Sequence, residues 1–414
     1  MRASAGSKKE IAFHGNSRSG WRMRTVISIL LLSGSLLYSE EAAPSDALKK
    51  TIDGAGENAS QIRSAWEKCP VDQRMGMEFL LVNMPTHDAK TLQADFLLEN
   101  VALAFRARNE MPWGREIPEE IFLNDVLPYA CLDESRDSWR ADFFNRFRAI
   151  AGDAQSAHEA LKRVNSSMIR ETGVRYSTKR RVANQGPKES MELKMASCTG
   201  LSILLADALR SICIPTRITG TAMWTNNKGN HNWNEVWLPE YKQWKFTEYG
   251  NNSEELDRGW LLGEAAKAVP GSLVYGVYAT TWKKSANHFP MVWNDRDTSV
   301  TAVEVSQRYI ELGAPHLQKA GECELQINAV KKSADGSPMR ESVEVEVLQD
   351  GKRIAKGATP SATDDTNHFL CVRVPQGAPC RVVVHGSNPR SPSSMEEVTP
   401  KEQEKNRRIT LHLP

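Results

Sequence analysis

Met195-Ala-Ser-Cys198-Thr-Gly-Leu-Ser-Ile-Leu-Leu205, followed by His231-Asn-Trp-Asn-Glu-Val-Trp237 and Trp244-Lys-Phe-Thr-Glu248, is the stretch on which the reading of this chain turns. Ser197 and Thr199 are helix-capping residue types, and Leu201, Leu204, Leu205, Ala208 and Leu209 follow at helical spacing. Cys198 is therefore expected at or just before a helix N-terminus. Unpaired backbone N–H groups and the positive end of the helix dipole favour thiolate there, and thiolate is the form that attacks a carbonyl carbon. Taken alone, a cysteine in that position is more simply a small buried apolar residue. Its partners decide.

The alternation from His231 to Trp237 puts His231, Trp233, Glu235 and Trp237 on one face of a strand. Leu238-Pro-Glu-Tyr241 breaks the pattern, and extended character resumes from Gln243 to Thr247. A hairpin loop centred between Pro239 and Glu240 would set Glu248 directly opposite His231. A carboxylate in that place fixes the tautomer of the imidazole and stabilises the imidazolium formed when the thiol proton moves. Singly, His231 reads as an interior histidine satisfied by Asn230 or Asn232, and Glu248 as a solvated turn residue. The functional case rests on the three residues together.

As a set, Ala196-Ser-Cys198-Thr-Gly-Leu, Ile214-Pro-Thr-Arg217-Ile-Thr-Gly220, His231-Asn-Trp-Asn-Glu-Val-Trp and Trp244-Lys-Phe-Thr-Glu248 resemble the core of the transglutaminase-like superfamily, over roughly residues 155 to 312. The resemblance implies a papain-like fold and acyl transfer through a thioester. It makes Cys198 the nucleophile, His231 the base and Glu248 the third member, where the family usually has Asp. Its site serves crosslinking enzymes, peptidases and amidases, and some members bind without catalysis. Peptidase or amidase action on a protein or peptide substrate is expected here. Transglutaminase crosslinking and a noncatalytic peptide- or glycan-binding module are the alternatives. The chemistry calls for no metal and no organic cofactor. In a papain-like site a donor from the segment preceding the nucleophile helps bind the oxyanion, which nominates Gln185. Trp224, beside the Thr225–Gly229 loop, is expected to wall the cleft next to His231.

The fold class expected is α+β, a papain-like transglutaminase core between a helical N-terminal region and a C-terminal immunoglobulin-like β-sandwich. The 414 residues, 40% hydrophobic and 25% charged, are enough for two or three cores. A net charge of +2 from 53 basic and 51 acidic residues argues against a nucleic-acid partner. Gly-rich phosphate loops and CxxC pairs are missing from the sequence, which leaves nucleotide and structural-zinc sites without support.

Residues 1–43 read as signal peptide and leader, with Met23-Arg-Thr preceding an apolar run from Val26 to Leu32 that fades by Tyr38. That run is too short to span a bilayer. Translation from Met23 and an uncleaved anchor are alternatives, and each leaves the folded chain secreted, periplasmic or at the cell surface. Setting Cys198 aside leaves six of the seven cysteines, with fifteen possible pairings. Cys371 and Cys380 are candidates to pair across neighbouring strands, whereas Cys213 reads as a packed small residue.

Residues 44–154 read as proline-punctuated helices that pack on the core and restrict its cleft. Trp113 with the Glu116–Glu120 cluster is a structural corner or a cleft edge. Residues 155–315 form the catalytic core, with Thr298–Ile310 as a returning strand. Residues 316–414 carry short alternating strands separated by turns such as Asp350-Gly351, resembling immunoglobulin-like or carboxypeptidase-regulatory-like modules. Cell-surface glycan or peptide is the partner expected for that module, and Ser387–Arg408 is expected to be a long loop.

Overall fold

The computed structural model describes residues 43–250, 255–334, 336–385 and 392–414. The signal segment expected within residues 1–43 falls almost wholly outside them. Among the described residues no helix is long and apolar enough to cross a membrane.

The core is built around the helix Cys198–Ser211, in which every residue after Cys198 is buried. A helix this apolar on all sides is stable only when enclosed. Ser197 caps its start, accepting a hydrogen bond from the Gly200 N–H. At its end Cys213 takes a left-handed conformation (φ 59°), and the amides of Cys213 and Ile214 return to the carbonyls of Arg210 and Leu209 at 3.1 and 2.9 Å. Pro215 follows and prevents continuation.

Helices between Asp46 and Thr172 cover one flank of this central helix, with Arg140–Ala151 and Ala157–Thr172 packed directly on it. Their apolar residues, among them Leu48, Leu97, Phe143 and Phe147, share one buried cluster with Leu204, Leu205 and Leu209. Trp113 is fully enclosed and donates its indole N–H to the carbonyls of Ile212 and Cys213, both at 3.1 Å. It is thus the structural corner that closes the C-terminal end of the central helix. The helices lie behind that helix, and among the described residues none of 44–154 lines the cleft at Cys198. The expectation that they restrict the cleft is corrected accordingly.

The strands β1 (Arg175–Tyr176) and β2 (Met195–Ala196) pair in parallel and lead the chain into Cys198. Next come β3 (Thr216–Thr221), β4 (His231–Leu238), β5 (Gln243–Thr247), β6 (Tyr278–Thr280), β7 (Asn287–His288) and β8 (Thr301–Glu304). They form an antiparallel sheet of order β5-β4-β3-β6-β8-β7 on the other flank of the central helix. The expected strand Thr298–Ile310 is half right. After β8 the chain turns into the helix Ser306–Gly313, which lets Tyr309 reach the buried Glu235.

β4 is buried along its whole length and uses both faces. On one, Asn232 donates to Thr199 Oγ1 and Asn234 to the Ser202 carbonyl, each at 2.8 Å, locking strand to helix. Opposite Asn232, β3 has Gly220, where an added Cβ would stand 1.9 Å from Asn232 Oδ1. On the other face Glu235 is fully buried, 2.7 Å from Arg217 and 3.3 Å from Arg308. The Tyr309 hydroxyl donates to it at 3.0 Å, and Arg217 stacks over Trp244. Removing one member of a buried ion pair strands the other. Glu235→Leu is therefore expected to destabilise the protein by about 3–5 kcal/mol, read as a lower denaturant midpoint at unchanged m-value.

The C-terminal strands are β9 (Glu322–Lys332), β10 (Pro338–Arg340), β11 (Glu344–Gln349), β12 (Lys352–Ala358), β13 (Leu370–Pro375), β14 (Cys380–His385), β15 (Pro392–Val398) and β16 (Asn406–His412). They make two four-stranded sheets, one of order β10-β9-β13 with β16 also on β9, the other β12-β11-β14-β15. Leu325, Ile327, Val345, Val347, Val382 and Ile409 fill the space between. β15 lies inside the segment expected as a loop. It is an edge strand with Met395, Glu396 and Glu397 exposed and Val398 turned inward, so no alternation announces it. The expected Cys371–Cys380 pair is also corrected. The two residues belong to different sheets, Cys380 between them and Cys371 exposed, and all seven cysteines are free.

Candidate active site

The capped start of the central helix presents Cys198 as its first residue, partly open to solvent. Ser197 fixes that start from both sides, accepting from the Gly200 N–H at 3.1 Å while donating to the Ala183 carbonyl. His231, the first residue of β4, is 2% exposed. Its ring lies 5.7 Å from Trp233 in a stacked arrangement and 4.8 Å from Trp260. The aromatic surroundings leave the imidazole little freedom to turn.

His231 Nε2 lies 2.8 Å from Glu248 Oε1. The two meet by a different register from the one expected. The turn is Pro239–Lys242, with Lys242 at φ 51°, and it pairs Leu238 with Gln243 and Asn234 with Thr247. Extending that ladder by one step sets Glu248 opposite Trp233, not His231. A shift of two positions along one strand preserves the face on which side chains point. The longer glutamate then reaches the ring diagonally.

With Nε2 engaged by the carboxylate, Nδ1 is the ring nitrogen left to a thiol. It is buried, without a hydrogen bond of regular geometry, and faces Asp365 Oδ2 at 3.4 Å. Cys198 Sγ, a ring nitrogen of His231 and a carboxylate oxygen of Asp365 all lie within 4.8 Å of one another. Burial disfavours the charged imidazole, but Asp365, the Cys198 sulfur and Glu248 outweigh it and hold the His231 pKa well above the usual histidine range.

The cleft over these groups is lined by Tyr176, Leu201, Tyr249 and Trp260 from the core and by Thr363, Asp364, Asp365 and His368 from the loop between β12 and β13. Contacts from the residues that follow Asp365 seat that loop on the core. Tyr176 and Thr366 share a hydroxyl contact of 3.4 Å, Asn367 Nδ2 donates to the Asn230 carbonyl at 3.5 Å, and His368 stacks on Trp260 with centroids 5.5 Å apart.

Cys198, His231 and Glu248 thus converge, and two other nominated residues do not join them. Gln185 is wholly buried, its amide spanning the Met195 carbonyl at 3.0 Å and the Arg181 N–H at 3.1 Å. It braces the segment that delivers Cys198 and does not line the cleft, so the oxyanion assignment is corrected. Trp224 is 3% exposed and stacks on Trp233 behind His231, so the cleft wall is Trp260 instead. Trp260 is one of eleven tryptophans in the chain, and no neighbouring motif marks it as the cleft wall. Asp365 carried no signal beyond a polar turn, Thr363-Asp-Asp-Thr-Asn367, in a different sheet system.

Residues 146–248 match the core of the transglutaminase-like superfamily. Among solved structures, a protein of Cytophaga hutchinsonii described as a cysteine protease is 16% identical with a TM-score of 0.26, over 44% of this chain and 63% of that one. Red sea bream transglutaminase is 9% identical with a TM-score of 0.28, over 70% of this chain and 65% of its own. The chain therefore spans less than two thirds of the length of either, and likenesses this distant say nothing about activity. No curated protein sequence matches the chain significantly.

Proposed function

The chain carries a transglutaminase-like domain at residues 146–248, and from that premise we propose that it is a secreted thiol acyl-transfer enzyme acting on carboxamide or peptide bonds. The observation that supports this most is the 2.8 Å contact from Glu248 to His231 Nε2, which leaves Nδ1 as the ring nitrogen available to Cys198, the first residue of the central helix, whose sulfur lies within 4.8 Å of the imidazole. Cys198 gives its proton to His231 Nδ1 and its sulfur attacks the carbonyl carbon. The negative charge that develops on the carbonyl oxygen falls to the helix N-terminus. When the tetrahedral adduct collapses, the C–N bond breaks and His231 returns the proton to the departing amine, leaving a thioester on Cys198. Water, deprotonated by His231, then attacks the thioester carbonyl, the C–S bond breaks to release the acid and His231 returns the proton to the sulfur, while an amine in place of water would give crosslinking. Glu248 holds the Nε2–H throughout and stabilises the imidazolium.

The two C-terminal sheets serve in this reading as an immunoglobulin-like module appended to the enzyme, and their loop contributes one wall of the substrate cleft. The substrate is a protein or peptide.

The test is capture of the intermediate. Chelator-treated protein is mixed with a glutaminyl peptide or an unfolded protein, quenched in acid and weighed intact. A thioester adduct on Cys198 that hydroxylamine releases as a hydroxamate is the expected result. Absence of any adduct from either probe class, with Cys198 free and the protein folded, contradicts the proposal. Free acid or an amine-linked product in the unquenched reaction assigns the acceptor.

A further inference from the structure

We propose that Cys198, His231 and Asp365 form a binding site for a borderline-soft divalent cation, zinc foremost, which ties the C-terminal loop to the nucleophile and reversibly blocks it. The three donor atoms lie within 4.8 Å of one another and come from three separate elements: the central helix, the start of β4 and the loop between β12 and β13. Thiolate, imidazole and carboxylate together are a zinc donor set, and three protein ligands with a fourth position open are the pattern of an accessible zinc site.

Each donor is already held for the task. Glu248 engages His231 Nε2, which directs the free lone pair to Nδ1. That carboxylate–histidine pairing is the outer-shell arrangement that orients metal-binding imidazoles. Nδ1 itself is buried and makes no regular hydrogen bond, an orphan atom aimed at the cluster. On Asp365, Oδ1 accepts the Asn367 N–H at 2.8 Å, which leaves Oδ2 for the ion. Two donors bound about 2.0–2.1 Å from a tetrahedral ion stand roughly 3.3–3.4 Å apart. Nδ1 and Oδ2 stand 3.4 Å apart. The fourth position opens into the cleft walled by Tyr176 and Trp260, with room for water.

The consequence reaches beyond acyl transfer. A thiolate whose lone pair is given to the ion cannot attack, and an imidazole coordinated at Nδ1 cannot take a proton. Because one ligand belongs to the C-terminal module, the ion also holds that module's loop over the cleft. Removing the ion frees sulfur, ring and loop together.

Cobalt reports such a site independently of turnover. Co²⁺ titrated into the chelator-treated full chain is expected to produce a near-ultraviolet thiolate-to-cobalt charge-transfer band and intense tetrahedral visible bands, saturating at one equivalent. Cys198→Ala should abolish the charge-transfer band. The nearly isosteric Asp365→Asn, checked by circular dichroism to be folded, should weaken binding at least tenfold, and Glu248→Gln by about 10–100-fold. In parallel, Zn²⁺ should protect Cys198 from haloacetamide and a chelator should restore the reaction. No charge-transfer band in folded wild-type protein, binding of the same strength in Asp365→Asn, or alkylation untouched by saturating Zn²⁺ overturns the proposal. Catalysis is judged separately, by the reactivity of Cys198 with chelator present, so loss of the metal site leaves that reading standing and the reverse holds equally.

Discussion

Cys198→Ala is expected to lower kcat by on the order of 10⁶-fold, the scale set by removal of a covalent nucleophile that works as a unit with its base. The fold should survive the change. Cys198 is the first turn of a helix whose enclosure comes from residues 199–211 and whose cap comes from Ser197. The variant should therefore unfold at nearly the wild-type denaturant concentration while its turnover falls to background. His231→Ala should lose about as much, and the double variant little more, because nucleophile and base act in one step. A protein that merely holds peptides in this cleft would keep its ligand in the Cys198→Ala variant. Substantial residual turnover in that variant would move the chemistry elsewhere in the molecule.

Glu248→Gln is the second large effect, with kcat expected to fall by about 10⁴-fold. The amide is nearly isosteric with the carboxylate, so the 2.8 Å approach to His231 Nε2 can persist. What disappears is the charge that favours the Nε2–H tautomer and the imidazolium. Asp365 still favours the imidazolium but cannot take over the orienting role, because it faces Nδ1, and its pull on a proton there would favour the tautomer that does not accept from the thiol. KM should change far less than kcat. An activity within a few-fold of wild type would remove Glu248 from the mechanism.

Much of the site was legible because it rests on local rules. A capping serine before an apolar helical run locates Cys198, and period-two alternation with a break at Pro239 puts His231 and Glu248 on facing strands. The register itself was missed by two positions, since the turn extends to Lys242 and only a left-handed residue there closes it. The error did no harm to the pairing of side chains, because a two-residue shift keeps the face. Gln185 shows a harder limit. A glutamine ahead of a nucleophile has the right chemistry for an oxyanion donor, but its amide is already committed to Met195 and Arg181, and such commitments are tertiary.

The least legible member is Asp365. No local pattern links a turn between two strands of the C-terminal sheets to a helix start in the core, and only the seating of Thr366, Asn367 and His368 on Tyr176, Asn230 and Trp260 brings it there. The edge strand β15 was hidden for a related reason. With Glu396 and Glu397 exposed, its sequence has the look of a solvated loop, and only pairing with β14 makes it a strand.

The most direct test of the account is the rate at which a small haloacetamide alkylates Cys198 as a function of pH, read by peptide mass spectrometry in chelator-treated protein, with His231→Ala as reference. The imidazole of His231 is held well above the ordinary histidine range, so it stays protonated on the acid side of neutrality. The account predicts that Cys198 alkylates readily below pH 7, far beneath the value of about 8.5 at which a free thiol ionises, and that His231→Ala loses this reactivity. A rate that follows an ordinary thiol and is unchanged in His231→Ala would contradict it.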